Sequence, residues 1–191
     1  IGATLRMLGA PVAFVVAESA KAAQAGLDAI CVEYEVLPHA FSMEEALAPG
    51  GVPIAGDCNV LSTYELRHGD LPAALDQSDL ILETSYETAY LEHAALERET
   101  LLGYYDEAGR LTVIGGTHEP HYQQTYIHHT LALPLDQVRV IVPPTGGTFG
   151  GKQDPWPFLA TALMANTARR PVRLTYTRRE SFDASPKRHP Y

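Results

Sequence analysis

The sequence predicts an α+β protein built from two connected pieces that meet near residue 80, and three stretches carry that expectation. Near the start, Gly9–Val16 has a strand pattern, Ala20–Ile30 is alanine-rich, and Cys31–Val36 alternates apolar and polar residues, giving strand, helix, strand. From Ala48 to Arg67 the composition turns to Gly, Pro and small polar residues, as in a linker that crosses a surface. Beyond it, β-branched Val138–Val142 precedes the glycine-rich Pro143–Pro157, and Phe158–Thr167 is a run of good helix formers.

Taken in order, Ser19 is placed to cap the first helix and Leu37-Pro38 to end the second strand. Ser42–Leu47 reads as a short helix, and Asp79–Tyr90 as a strand. Tyr90–Glu99 could form a helical turn with His93 and Glu97 on one face, a spacing that metal ligands use. With no third ligand nearby, a structural pair is the stronger reading. Leu101–Tyr105 and Leu111–Ile114 flank a turn at Asp106–Gly109 and predict a β-hairpin. Thr117 can cap a helix that runs to about Leu133, with Pro120 early in it. That stretch holds four of the eight histidines, His118, His121, His128 and His129. His121 and His128 share a face and His129 is rotated away. Without cysteine ligands, a solvated or hydrogen-bonded helix face is favoured over a zinc site.

Bulk properties narrow the function classes. A length of 191 residues allows one ordinary domain or two small ones, and 46% hydrophobic content can fill a core. A formal charge of −9 argues against a nucleic-acid surface. No apolar run reaches the length of a membrane span. Cys31 and Cys58 are too few for a disulfide framework and read as buried thiols of a reducing, cytoplasmic compartment. They are also too few for a self-contained iron–sulfur cluster, which needs four thiolates.

The glycine loop is the chemical centre. Gly146, Gly147, Gly150 and Gly151 fall within six positions, so the backbone N–H groups there can approach an anionic or oxo-rich ligand without β-carbons in the way. Gly146–Lys152 satisfies the G-x-x-x-x-G-K spacing of a phosphate-binding loop, yet Gln153 follows where a hydroxyl for Mg²⁺ is required. A nucleotide-binding loop, or a non-catalytic binding or assembly module, is therefore one reading.

The other reading rests on resemblance. Gly146-Gly-Thr-Phe-Gly-Gly-Lys152 resembles the GGGFGGK loop of the molybdenum hydroxylases, the xanthine dehydrogenase and aldehyde oxidase family. Leu131–Pro143 resembles that family's segment of helix end, turn and strand, and Ala168–Pro190 its run from RRPV to RHP. Gly115–Pro120 and the first forty residues extend the likeness over nearly the whole chain. The resemblance implies that residues 1–80 are the C-terminal part of an α/β hammerhead domain plus linker, with Ile1 a truncation. Residues 81–191 would be the N-terminal part of a molybdopterin-binding domain.

The same resemblance implies an enzyme that uses water to hydroxylate an N-heterocycle or aldehyde carbon. Its cofactor would be molybdenum-molybdopterin, bound through Gly147, Phe149 and Gly150, with His118 where the family has an oxo-bonding glutamine. Gln153 would contact substrate, and Thr148 stands in place of the third glycine. The catalytic glutamate lies downstream, so the isolated chain is expected to hold no catalytic residue, metal or cofactor and to be inactive. Its partners would be the rest of the molybdenum subunit, and iron–sulfur and flavin (FAD) domains or subunits.

Overall fold

A computed structural model of the chain describes residues 4–54 and 56–191. The chain divides into two compact units, Ile1–Ile30 with Tyr86–Tyr191, and Cys31–Ser85.

The first unit is a mixed α+β layer structure. After α1 (Ala20–Asp28), capped by Ser19 Oγ on the Ala22 N–H, its elements are β1 (Thr100–Tyr105), β2 (Leu111–Gly115), α4 (Pro120–Leu131), β3 (Val138–Ile141), α5 (Trp156–Ala168), β4 (Val172–Thr175) and α6 (Arg178–Ala184). The four strands form one sheet in the order β3-β2-β1-β4. β1 runs antiparallel to both β2 and β4, pairing Leu101 with Gly115 and Thr100 with Thr175. β2 and β3 are parallel, with Leu111 opposite Val138, so α4 is the crossover that parallel neighbours require. The hairpin is closed at Asp106, whose carboxylate accepts from the Ala108 and Arg110 N–H groups at 3.0 and 2.9 Å. Gly109, at φ +76°, supplies the left-handed residue of that turn.

The core lies between the sheet and α5. Leu101, Leu111, Val113, Val138 and Val172 from the strands meet Phe158, Ala162 and Ala165 from α5 and Ile127 from α4. Each large side chain removed from water stabilises the fold by about 1.5–3 kcal/mol. Gly103 sets how closely α5 approaches, because a β-carbon there would stand 2.9 Å from Thr161 Cγ2 and 3.2 Å from Ala165 Cβ. α6 begins with a capping box in which Thr177 and Glu180 satisfy each other's backbone N–H.

The second unit contains α2 (Met43–Leu47) and α3 (Leu71–Asp76). Its Gly/Pro-rich stretch, irregular as predicted, is held by Asn59, whose amide donates to the Ala46 and Val52 carbonyls at 2.8 and 2.7 Å and accepts from the Ile54 N–H.

Several predicted elements differ. Residues 9–16, 31–36 and 79–90 form no ladder, and Val12, Phe14, Val16, Val32, Tyr34 and Val36 are all exposed. A strand exists only as a ladder against a partner's N–H and C=O groups, and among the described residues none forms such a ladder with these segments. The nearest approach is a short antiparallel contact in which Leu91 exchanges hydrogen bonds with Arg188 and the Thr88 N–H donates to Tyr191 O. The helical turn expected over 90–99 is absent because Ala94 sits at φ +47°, outside the right-handed helical region. Cys31 and Cys58 are free as expected, but exposed rather than buried.

Candidate functional site at the carboxyl end of the sheet

The strand directions decide where chemistry can collect. β2, β3 and β4 run one way and β1 the other, so the segments after β2, β3 and β4 and the segment before β1 converge on one end of the sheet. Residues 92–99, 116–119, 143–154 and 176–181 therefore meet there. The crevice beyond the carboxyl ends of parallel strands is the usual ligand position in open α/β sheets.

The glycine loop is fixed from beneath and from both sides. Glu97 accepts the Gly146 N–H with both carboxylate oxygens, at 2.7 and 2.9 Å, and Lys152 Nζ at 2.8 Å. One side chain thus ties the two ends of Gly146–Lys152. The Lys152 side chain is only 4% exposed, against 39% for Glu97. The ammonium and the bonded N–H groups hold the Glu97 carboxyl below the usual carboxylate range, the Lys152 hydrogen bond contributing most. Thr117 Oγ1 donates to Lys152 O at 2.9 Å, and Gln123 Nε2 to Gln153 O at 3.0 Å. Beneath lies His93: a β-carbon on Gly151 would fall 2.8 Å from its Nδ1, which is buried and has no partner among the described residues.

Above these ties the backbone is unusual. Gly147 and Gly150 lie at φ +134° and +88°, and Phe149, which is not glycine, lies at φ +48°. Phe149 is 71% exposed, and its ring lies across Gly147, where a β-carbon would be 2.6 Å from Cε2. A non-glycine residue held in the left-handed region costs about 1–3 kcal/mol and persists only where its surroundings enforce it. The Gly151 N–H closes back on Thr148 O at 2.7 Å, while the N–H groups of Gly147, Thr148, Phe149 and Gly150 find no acceptor among the described residues. Four consecutive N–H groups without an acceptor, in a backbone kinked at Gly147, Phe149 and Gly150, are donors that an anionic or oxo ligand could use. At Gly150 a β-carbon would meet nothing nearer than His93 Nε2 at 3.7 Å, so the approach to the loop is open.

Beside the loop, a small crevice is lined by residues that include Glu99, Gly116, Asp154, Phe158 and Tyr176. Burial, and then the charge of Glu99, raises the Asp154 carboxyl above its ordinary value. Burial and the neighbouring carboxylates push Tyr176 up to about 12.

Of the residues singled out in the sequence, Gly147, Phe149 and Gly150 form the free-donor segment, and Gln153 lies at its exposed exit. His118 is exposed between two neighbours that both touch the loop, Thr117 and Glu119. Two expectations change. Thr117 does not cap α4, whose N-cap is Glu119, but braces the loop. Lys152 is not the mobile cation of a phosphate loop, because it is buried in an ion pair. The sequence reading left out Glu97, Thr117, Glu119 and Gln123 as loop contacts, and their separations of 30 to 55 residues carry no local signal. Among the described residues no group of three or more His, Cys, Asp or Glu side chains is placed to hold a metal ion, and no helix is long and apolar enough to cross a membrane.

Residues 56–191 match the molybdopterin cofactor-binding domain family. The chain is 40% identical over 186 residues to the nicotinate dehydrogenase large molybdopterin subunit of Eubacterium barkeri, covering 97% of this chain and 44% of that protein. It is 30% identical over 188 residues to the xanthine dehydrogenase molybdenum-binding subunit of Escherichia coli, covering 98% of this chain and 25% of the relative. Among solved structures, aldehyde oxidoreductase from Desulfovibrio gigas superposes with a TM-score of 0.79 at 26% identity, over 91% of this chain and 19% of that one. The chain thus spans less than half the length of these relatives.

Proposed function

The chain belongs to the molybdopterin cofactor-binding domain family, and from that premise we propose that it forms one wall of the cofactor site of an oxidoreductase. That enzyme hydroxylates an N-heterocycle or aldehyde carbon with oxygen from water. The observation that carries this reading is the run of four unpaired backbone N–H groups, Gly147 to Gly150, on a loop clamped at both ends by Glu97. The residues present suit a molybdenum cofactor on their own chemistry. Neutral N–H dipoles complement oxo or phosphate oxygens, no metal-ligating side chain is needed, and at Gly150 the missing β-carbon leaves the approach open.

When bound, the cofactor supplies the oxidising chemistry. This chain's contribution is to bind and orient. The N–H groups of Gly147, Phe149 and Gly150 would hold the metal end, His118 would offer an imidazole N–H from the β2–α4 turn, and Gln153 would face the substrate. The relatives' names include nicotinate and xanthine dehydrogenases and an aldehyde oxidoreductase, which supports heterocycles or aldehydes as the substrate class. The base that completes catalysis, most pterin contacts, and the iron–sulfur and flavin carriers would lie on other segments or subunits. Residues 1–80 would be the C-terminal part of a hammerhead domain with its linker, and 81–191 the start of the cofactor domain.

Gly150→Val in the complete enzyme tests the site. An added β-carbon there meets nothing nearer than His93 Nε2 at 3.7 Å, so the substitution would act through the φ of +88° and through space that the cofactor would occupy. Gly109→Val, at φ +76° with nothing within 4 Å, carries a matched backbone penalty far from the loop. Gly150→Val should lose molybdenum and turnover with the far-UV spectrum intact, while Gly109→Val keeps both. If Gly150→Val retains molybdenum and turnover, the loop is a structural turn only.

A further inference from the structure

The His93 ring stands half inside the protein, with its two nitrogens in different surroundings. Nδ1 is buried under the loop, 2.8 Å from where a β-carbon on Gly151 would lie, and no described residue bonds to it. The carboxylates that line the same crevice are committed elsewhere: Glu92 to Lys187 and Ser185, Glu97 to Lys152 and the Gly146 N–H, and Glu99 to Ser181. Nε2, by contrast, is not buried and has no partner among the described residues. The adjoining residues aside, it is the only described atom within 4 Å of the position that a β-carbon on Gly150 would take. It therefore borders the open space at the last of the four unpaired backbone N–H groups. These surroundings assign the proton. A proton on Nδ1 alone would leave a buried N–H without an acceptor, and every other form of the ring carries its proton on Nε2. The outward nitrogen is thus a hydrogen-bond donor and not a metal ligand.

A phenyl ring would fill the same place without a buried unpartnered nitrogen, so the imidazole lowers the stability of the cofactor-free protein. What only the imidazole supplies is the outward N–H. Resting on the reading of the loop as one wall of the cofactor site, we propose that His93 is a fifth donor of that wall, its Nε2–H bonding an oxygen of the bound molybdenum cofactor beside the Gly150 N–H. His93 belongs to the segment before β1, so the group is held from two chain segments rather than from the loop alone. One such hydrogen bond corresponds to about a tenfold change in affinity. A change of that kind shows mainly in the rate of release.

The test uses the complete enzyme and two readouts besides turnover: the rate at which molybdenum leaves during dialysis, and thermal unfolding of the cofactor-free form. His93→Phe should release molybdenum roughly tenfold faster than wild type, while its cofactor-free form unfolds at the same temperature or higher. His93→Gln, whose amide reaches about as far as Nε2 and can donate, should release molybdenum within about threefold of the wild-type rate. The inference is overturned if His93→Phe releases molybdenum at the wild-type rate, or if His93→Gln releases it as fast as His93→Phe. It is equally overturned if His93→Phe also weakens the cofactor-free form, because the ring is then a prop for Gly151. Failure of the broader reading is separate, since that shows as Gly150→Val retaining molybdenum.

Discussion

Replacing Glu97 by alanine should be among the most damaging single changes at the loop, and the reason is Lys152 rather than Glu97 itself. Removing the carboxylate leaves an ammonium that is 4% exposed with no counter-charge, and frees the Gly146 N–H. Breaking a fully buried ion pair in this way costs about 3–5 kcal/mol. Glu97 is 39% exposed, so water can partly replace it, and roughly 1–3 kcal/mol is the sensible range. Lys152→Met removes the buried charge itself and leaves Glu97, which is part-exposed and still bonded to the Gly146 N–H, so it should cost less, on the order of 1 kcal/mol. The double variant should then be more stable than the sum of the singles predicts. Thermal unfolding of the cofactor-free protein reads this out at about 2–4 °C per kcal/mol for a domain of this size. The gap between wild type and Glu97→Ala also has a pH signature. The Glu97 carboxyl lies below its ordinary value in the folded protein, so its stabilisation is present at neutral pH and lost as pH falls through that lowered value. Equal costs for Glu97→Ala and Lys152→Met, strict additivity, or a gap that persists in strong acid would refute the clamp.

Two further substitutions probe the surroundings. Burial raises the Asp154 carboxyl, so its ionised form is penalised in the fold and costs stability above the ordinary carboxylate range. Asp154→Asn, which can still accept the Trp156 N–H, should therefore stabilise at neutral pH, with the gain fading on acidification; a variant less stable than wild type at pH 7 would contradict this. Gly103→Ala would place a β-carbon 3.0 Å from the Thr161 carbonyl and force α5 outward, at a cost of about 1–3 kcal/mol measured by denaturant unfolding. An unchanged midpoint would mean that the helix yields freely.

What the sequence revealed and what it hid divide along one line. The hairpin around Asp106–Gly109, the β3 strand and α5 were legible because turn chemistry, β-branching and helix propensity are local. The strand patterns at 9–16 and 31–36 are equally clear in composition, yet pairing is not a local property, and their apolar residues remain exposed here. The site divides the same way. Four glycines in six positions announced a loop, but the residues that shape it arrive from 93–97, 117 and 123, brought in by strand order alone. His93 and Glu97 illustrate this: their spacing of four suggested a helical face, whereas Ala94 breaks the helix and each residue reaches the glycine loop by its own route.

The lysine also separates two loops that share one spacing. In a nucleotide-binding loop the lysine must be free to reach the β and γ phosphates, and a following hydroxyl must reach Mg²⁺. Here Lys152 turns into the protein to neutralise Glu97, and Gln153 offers an amide to Glu119. Each group that a phosphate loop would extend toward its ligand is instead used to stiffen the loop. What remains available is the peptide backbone, with Phe149 held at φ +48° and four N–H groups unpaired. A receptor of fixed dipoles without a mobile cation suits a resident group held in one orientation better than a nucleotide that must bind and leave, because the fixed donors are already in place when the group arrives.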